Sequence, residues 1–142
     1  MIAQVTFLSR HAAENMSGKE GSAIISISEP DFNLGQANLM HGWHAIHRTE
    51  FHDIDVWRPN ESLTLMSSKH AEDIVEFVYS VASDIDHLVV HCTAGISRSA
   101  GVAKWIADTF NLPFNHQYAL YNRHVYRLLI DANQRRQETP PQ

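Results

Sequence analysis

The chain contains a single cysteine, Cys92, among 142 residues. No disulfide can form within it, and that usage fits a reducing compartment. Long apolar runs are also missing. A membrane-crossing helix needs about 20 consecutive apolar residues, and no stretch approaches this, so no membrane association is expected. Basic runs are absent before Arg135-Arg136 and the net charge is -5, which argues against nucleic acid as a partner. The opening residues, Met1-Ile2-Ala3-Gln4, lack the basic start and apolar centre of a secretion signal. A cytoplasmic protein is therefore expected. Repeats and linkers are also absent, and a chain of this length suffices for one domain with its own core.

What is present reads as alternating strands and helices. Gln4 to Ser9 is a short apolar run that predicts a strand, and His11 to Met16 predicts one or two helical turns. Ala23-Ile24-Ile25-Ser26-Ile27 is β-rich and stops at Glu29-Pro30, which predicts a buried strand. Trp43 to Phe51 predicts another. Ser67 or Ser68 is placed to cap a helix running to about Ala82, with Ala71, Ile74, Val75, Val78 and Val81 as its apolar stripe. His87 to His91 predicts a strand, Ala100 to Phe110 a helix with Ala103, Ile106, Ala107 and Phe110 inward, and Asn115 to Asp131 a last helix. That helix would turn Tyr118, Tyr121, Val125, Leu128 and Leu129 inward, with Tyr126 also in the core. The domain is expected over residues 1–133. Residues 134–142, polar and carrying Pro-Pro, are expected to form a disordered tail.

The cysteine sits where this pattern turns from strand to helix, in His91-Cys92-Thr93-Ala94-Gly95-Ile96-Ser97-Arg98-Ser99. A helix N-terminus leaves backbone N–H groups unpaired and carries partial positive charge. A short loop feeding that end can wrap its N–H groups, here those of Thr93, Ala94, Gly95, Ile96, Ser97 and Arg98, around an anion. Gly95 supplies backbone freedom, and Arg98 a planar fork that grips two phosphate oxygens at once. The same positive surroundings favour the thiolate at Cys92, the form that attacks. A loop that holds a phosphate dianion beside a thiolate is suited to forming a phosphocysteine. Ser99 can hydrogen-bond the sulfur and ease its departure, while His91 orients the loop. A free cysteine is often a small buried hydrophobe, but that reading leaves Gly95, Arg98 and Ser99 at these offsets unexplained.

The run His-Cys-x-x-Gly-x-x-Arg-Ser resembles the signature of the cysteine-dependent protein tyrosine phosphatases, and the chain is most similar to their compact dual-specificity-like bacterial and phage members. The resemblance implies an α/β fold with a central, mostly parallel sheet flanked by helices. It also implies phosphomonoester hydrolysis without metal or other cofactor, acting on a phosphorylated protein or peptide. Relatives that act on phosphoinositides often carry basic residues inside the loop. Thr93, Ala94, Ile96 and Ser97 include no lysine, which favours a phosphoprotein, phosphotyrosine first.

Ester cleavage also needs a proton for the leaving oxygen, then a base for water, and one carboxyl group can do both. It belongs on a separate segment that can close over substrate. Asp53, just after Phe51 at a strand end, is the first choice and Asp55 the second; Trp57-Arg58 could form a wall of the pocket. Two other readings stand beside this one. The loop could bind phosphotyrosine without turnover. Alternatively, His41, His44, His47 and the His52-Asp53 pair could serve a metal-dependent phosphohydrolase. The strand-like runs and the lack of a downstream Asp cluster weigh against the metal. These histidines are expected at the surface or rim, as are His116, Arg123 and His124.

Overall fold

Among the residues described by the computed structural model, 1–30, 35–54 and 63–138, strands and helices follow one another along the chain. They are β1 (Gln4–Ser9), α1 (Arg10–Glu14), β2 (Ser22–Ser28), β3 (Ala45–Glu50), α2 (Ser68–Val81), β4 (His87–Cys92), α3 (Arg98–Phe110) and α4 (Arg123–Glu138). The strands form one sheet in the order β1-β4-β2-β3, and every pairing is parallel. The expected pairing of the second strand with the cysteine strand is present, with Ala23 opposite Leu88 and Ser26 opposite His91. The fold is thus an α/β domain with a central parallel sheet flanked by helices.

β2 is buried along its whole length, as an inner parallel strand covered on both faces should be. The strand period of two divides its side chains. Ala23, Ile25 and Ile27 join Leu88, Val90 and Cys92 on the face covered by α2, α3 and α4, whereas Ile24 and Val89 meet Ala13 of α1 on the other. Burying each isoleucine contributes roughly 1.5–3 kcal/mol, so β2 fixes the middle of the sheet. On the α1 face Ser26 Oγ lies 2.6 Å from His91 Nε2, and Nδ1 of that ring lies 3.3 Å from the Cys92 carbonyl oxygen. A carbonyl only accepts, so Nδ1 carries the proton and Nε2 accepts from the serine. His91 is fully buried and neutral, and burial pushes its pKa down.

α2 matches expectation in its cap and its stripe. Ser67 accepts from the His70 N–H while His70 Nδ1 accepts from the Ser67 N–H, and Ala71, Ile74, Val75, Val78 and Val81 are buried. The last helix differs at both ends. It begins at Arg123, not Asn115, because residues 115–122 have other partners. Asn115 closes a turn with Gln117 and Tyr118, and the Asn122 N–H donates to the Ser97 carbonyl. Val125, Leu129 and Ala132 face the core, while Tyr118, Tyr121 and Tyr126 are only half-buried. At the other end, residues 134–138 are helical where a disordered tail was expected. Arg135 pairs with Glu72 at 3.6 Å and Arg136 with Glu76 at 2.9 Å. Arg136 also lies 4.0 Å above the Tyr79 ring, and both cations suit a helix C-terminus.

Burial pushes the imidazoles of His47, His70, His87 and His91 below the ordinary value of 6.5. Below that value the unfolded chain binds protons that the folded chain refuses. Stability should therefore be full above about pH 6.5 and fall as the pH drops beneath it. Urea midpoints measured from about pH 8 to about pH 5 should show that plateau and decline, before carboxylates begin to protonate; a midpoint constant down to about pH 5 would contradict it.

Candidate active site

The carboxyl ends of β1, β4, β2 and β3 lie along one edge of the sheet, where open α/β sheets bind ligands. The cysteine loop leaves β4 at that edge. It is pinned from the β1 side, where the Arg10 N–H donates to the Thr93 carbonyl at 3.2 Å. Gly95 has φ +73, and a Cβ there would stand 2.4 Å from the Ser9 nitrogen and 2.5 Å from the Leu8 carbonyl carbon. Only glycine satisfies both the left-handed backbone and the close approach.

Cys92 is 2% exposed, and its Sγ lies 3.1 Å from Ser99 Oγ. Ser97 precedes α3 but makes no side-chain cap bond. Its hydroxyl donates instead to Asp53 Oδ1 at 2.8 Å, so the first N–H groups of α3 are not capped by it. Arg98 opens the helix with its side chain buried. Nη1 donates to the Phe51 carbonyl at 2.7 Å, and Nη2 to Glu29 Oε1 at 2.6 Å and to Thr93 Oγ1 at 3.4 Å. Nε is buried and has no partner among the described residues. A buried N–H on a cation beside the cysteine loop could donate to a phosphate oxygen, because leaving it unpaired is costly.

Two residues in this network were not anticipated. Glu29 follows β2 and accepts from both Arg98 and the Thr93 hydroxyl, the latter at 3.1 Å. Its second oxygen lies 4.0 Å from His52 Nε2. The one available signal was a carboxylate directly after a strand that pairs with the cysteine strand. Asn122 is 3% exposed and donates from Nδ2 to Asp53 Oδ1 at 3.0 Å and to the Ile54 carbonyl at 3.1 Å. Nothing in its local sequence pointed there.

The segment carrying Asp53 is closed at its base. The His52 N–H donates to the Thr64 carbonyl at 2.7 Å, and the Thr64 N–H donates to His52 Nδ1 at 2.7 Å. Accepting at Nδ1 places the ring proton on Nε2, facing Glu29. Asp53 is thus brought against the cysteine loop, whereas Asp55, Trp57 and Arg58 lie outside the described residues. Tyr118 Oη donates to the Ile96 carbonyl, and burial, with the Cys92 charge next, pushes its phenol up.

The other histidines are scattered. His41 and His44 are exposed, and His47, expected at the surface or rim, is half-buried against Phe77 with ring centroids 5.2 Å apart. His124, also expected at the surface, is half-buried and bonds the Met66 carbonyl at 2.9 Å, while His116 and Arg123 are exposed. Among the described residues no group of three or more His, Cys, Asp or Glu side chains is placed to hold a metal ion, and no helix is long and apolar enough to cross a membrane.

With this geometry in place, the family model of the dual specificity phosphatase catalytic domain matches residues 13–139. The human tyrosine phosphatase-like serine/threonine/tyrosine-interacting protein is similar in structure at 18% identity, over 81% of this chain and 78% of its own, with a TM-score of 0.48. Tk-PTP in its active form is similar at 12% identity, over 95% of this chain and 79% of its own, with a TM-score of 0.43. No curated protein matches the chain.

Gly95→Ala should cost stability on the order of 1–3 kcal/mol from backbone strain and displace the loop from β1. Calorimetric titration with inorganic phosphate should then give markedly weaker binding than wild type. Equal affinity in the two proteins would show that the contact with Ser9 does not shape the anion site.

Proposed function

Because the chain belongs to the dual specificity phosphatase catalytic-domain family, we propose that it hydrolyses phosphomonoesters on proteins, phosphotyrosine first, through a phosphocysteine intermediate. The observation that carries this reading is the buried Cys92 sulfur 3.1 Å from the Ser99 hydroxyl, at the start of α3. That is where a thiolate can be formed, aimed and released. The absence of lysine among Thr93, Ala94, Ile96 and Ser97 supports a singly phosphorylated side chain over a multiply charged headgroup.

The phosphoryl group enters the loop, with the N–H groups of residues 93–98 and the Arg98 Nε around its oxygens. Cys92 Sγ forms a bond to phosphorus as the ester P–O bond breaks, and Asp53 gives its proton to the leaving oxygen. Loop N–H groups and Arg98 stabilise the charge gathering on the equatorial oxygens. Water then attacks the phosphocysteine, and the Asp53 carboxylate takes a proton from it. The S–P bond breaks, and Ser99 donates a hydrogen bond to the departing thiolate. Inorganic phosphate leaves and the free enzyme is restored. His91, held by Ser26, keeps the strand end in place, and Glu29 fixes the plane of Arg98.

Hydrolysis of an aryl phosphate in the presence of EDTA tests the reading. Wild type should turn over, and Cys92→Ser should not. Asp53→Ala should lose roughly 10²–10⁴-fold, the usual worth of a general acid, and Asp55→Ala much less. Turnover that EDTA abolishes and Cys92→Ser retains would overturn the cysteine mechanism. Phosphotyrosine binding without wild-type turnover would make the loop a phosphate reader.

A further inference from the structure

We infer that Asn122 is the positioning residue for the general acid, an inference that rests on the assignment of Asp53 above. Five hydrogen bonds of Asn122 converge from three parts of the molecule. Its backbone N–H donates to the Ser97 carbonyl at 3.0 Å, which ties it to the cysteine loop. Its Oδ1 accepts from the Val125 N–H at 3.0 Å, and its carbonyl from the Tyr126 N–H at 3.1 Å, so it is the N-cap of α4. The remaining amide hydrogens, both on Nδ2, go to the acid segment, one to Asp53 Oδ1 and one to the Ile54 carbonyl. Both Nδ2 hydrogens and Oδ1 are thereby engaged, and the amide cannot rotate without breaking the cap.

The consequence falls on one oxygen. Asp53 Oδ1 accepts from both Asn122 Nδ2 and Ser97 Oγ, which leaves Oδ2 as the oxygen that carries the proton to the leaving group. A carboxyl held through one oxygen presents the other in a fixed direction, and orientation of this kind is worth a large share of a catalytic effect. Room for the arrangement comes from α3. A Cβ on Gly101 would stand 2.8 Å from the Asn122 carbonyl oxygen, so a glycine at that turn lets the α4 cap sit close to the cysteine loop. Asn122 touches no reacting atom. It transmits the position of α4 and of the loop to the acid.

Asn122→Ser and Asn122→Asp separate this role from capping, because Ser and Asp cap a helix about as well as Asn but neither supplies the neutral amide donor. The measurement is kcat/KM for a series of aryl phosphates whose phenol leaving groups span a range of acidity. Wild type should be nearly insensitive to the leaving group. Both variants should lose about tenfold or more with poor leaving groups, within the roughly 10²–10⁴-fold span of a general acid, and little with the most acidic phenols. The double variant Asp53→Ala/Asn122→Ser should be no slower than Asp53→Ala, because the two act as a unit. A loss that is the same for every leaving group, or that adds fully to that of Asp53→Ala, would overturn the inference and make Asn122 a cap only. If Asp53→Ala is itself indifferent to the leaving group while Asp55→Ala is not, the acid assignment fails instead, and with it the role given to Asn122.

Discussion

The Arg98 guanidinium is buried, and a buried cation is stable only when it is paired and hydrogen-bonded. Its partners come from three segments: Glu29 after β2, Phe51 after β3 and Thr93 within the loop itself. Satisfying one charge therefore draws the ends of the inner and edge strands together around the start of α3. Removing Glu29 would leave that charge without its carboxylate in a site shielded from water. The Arg98–Glu29 pair is thus better understood as a device that fixes geometry than as a source of stability, since burial of such a pair often costs as much as it returns. Nε is what the pairing leaves over, and it is the part of the fork that an oxyanion can use.

The Asp53 side of the site is organised by hydrogen bonds. The His52–Thr64 bonds close the base of the acid segment, while Ser97 and Asn122 hold the Asp53 carboxylate. Phe51, His52 and Asp53 are consecutive, so the residue that fixes the arginine and the residue read as the proton donor are two positions apart on the same strand end. The cysteine loop, Arg98 and Asp53 are held in one hydrogen-bonded network, and the proposed reaction would need little rearrangement there.

Much of this was legible in the sequence because it is written locally. The bounds of β1, the stripe and cap of α2, and the strand–loop–helix passage around Cys92 follow from periodicity, capping chemistry and the offsets of Gly95, Arg98 and Ser99. The start of the last helix was not legible, because Tyr118 and Tyr121 continue the apolar spacing of Val125 and Leu129. What stops the helix is Asn122 bonding to Ser97, a tertiary contact. The helical residues 134–138 were hidden by their polarity, since the partners of Arg135 and Arg136 lie on α2. Glu29 and Asn122 escaped for the same reason: each reaches the loop only once the sheet and α4 are in place.

The proposed reaction requires a covalent bond between Cys92 and phosphorus. Its most direct test is acid quench of wild type and Ser99→Ala during turnover of an aryl phosphate, followed by mass spectrometry of the peptide containing Cys92. One phosphoryl group is expected on that cysteine, accumulating further in Ser99→Ala because release of the thiolate is slowed. Steady hydrolysis with Cys92 unmodified at every time point in both proteins would contradict it.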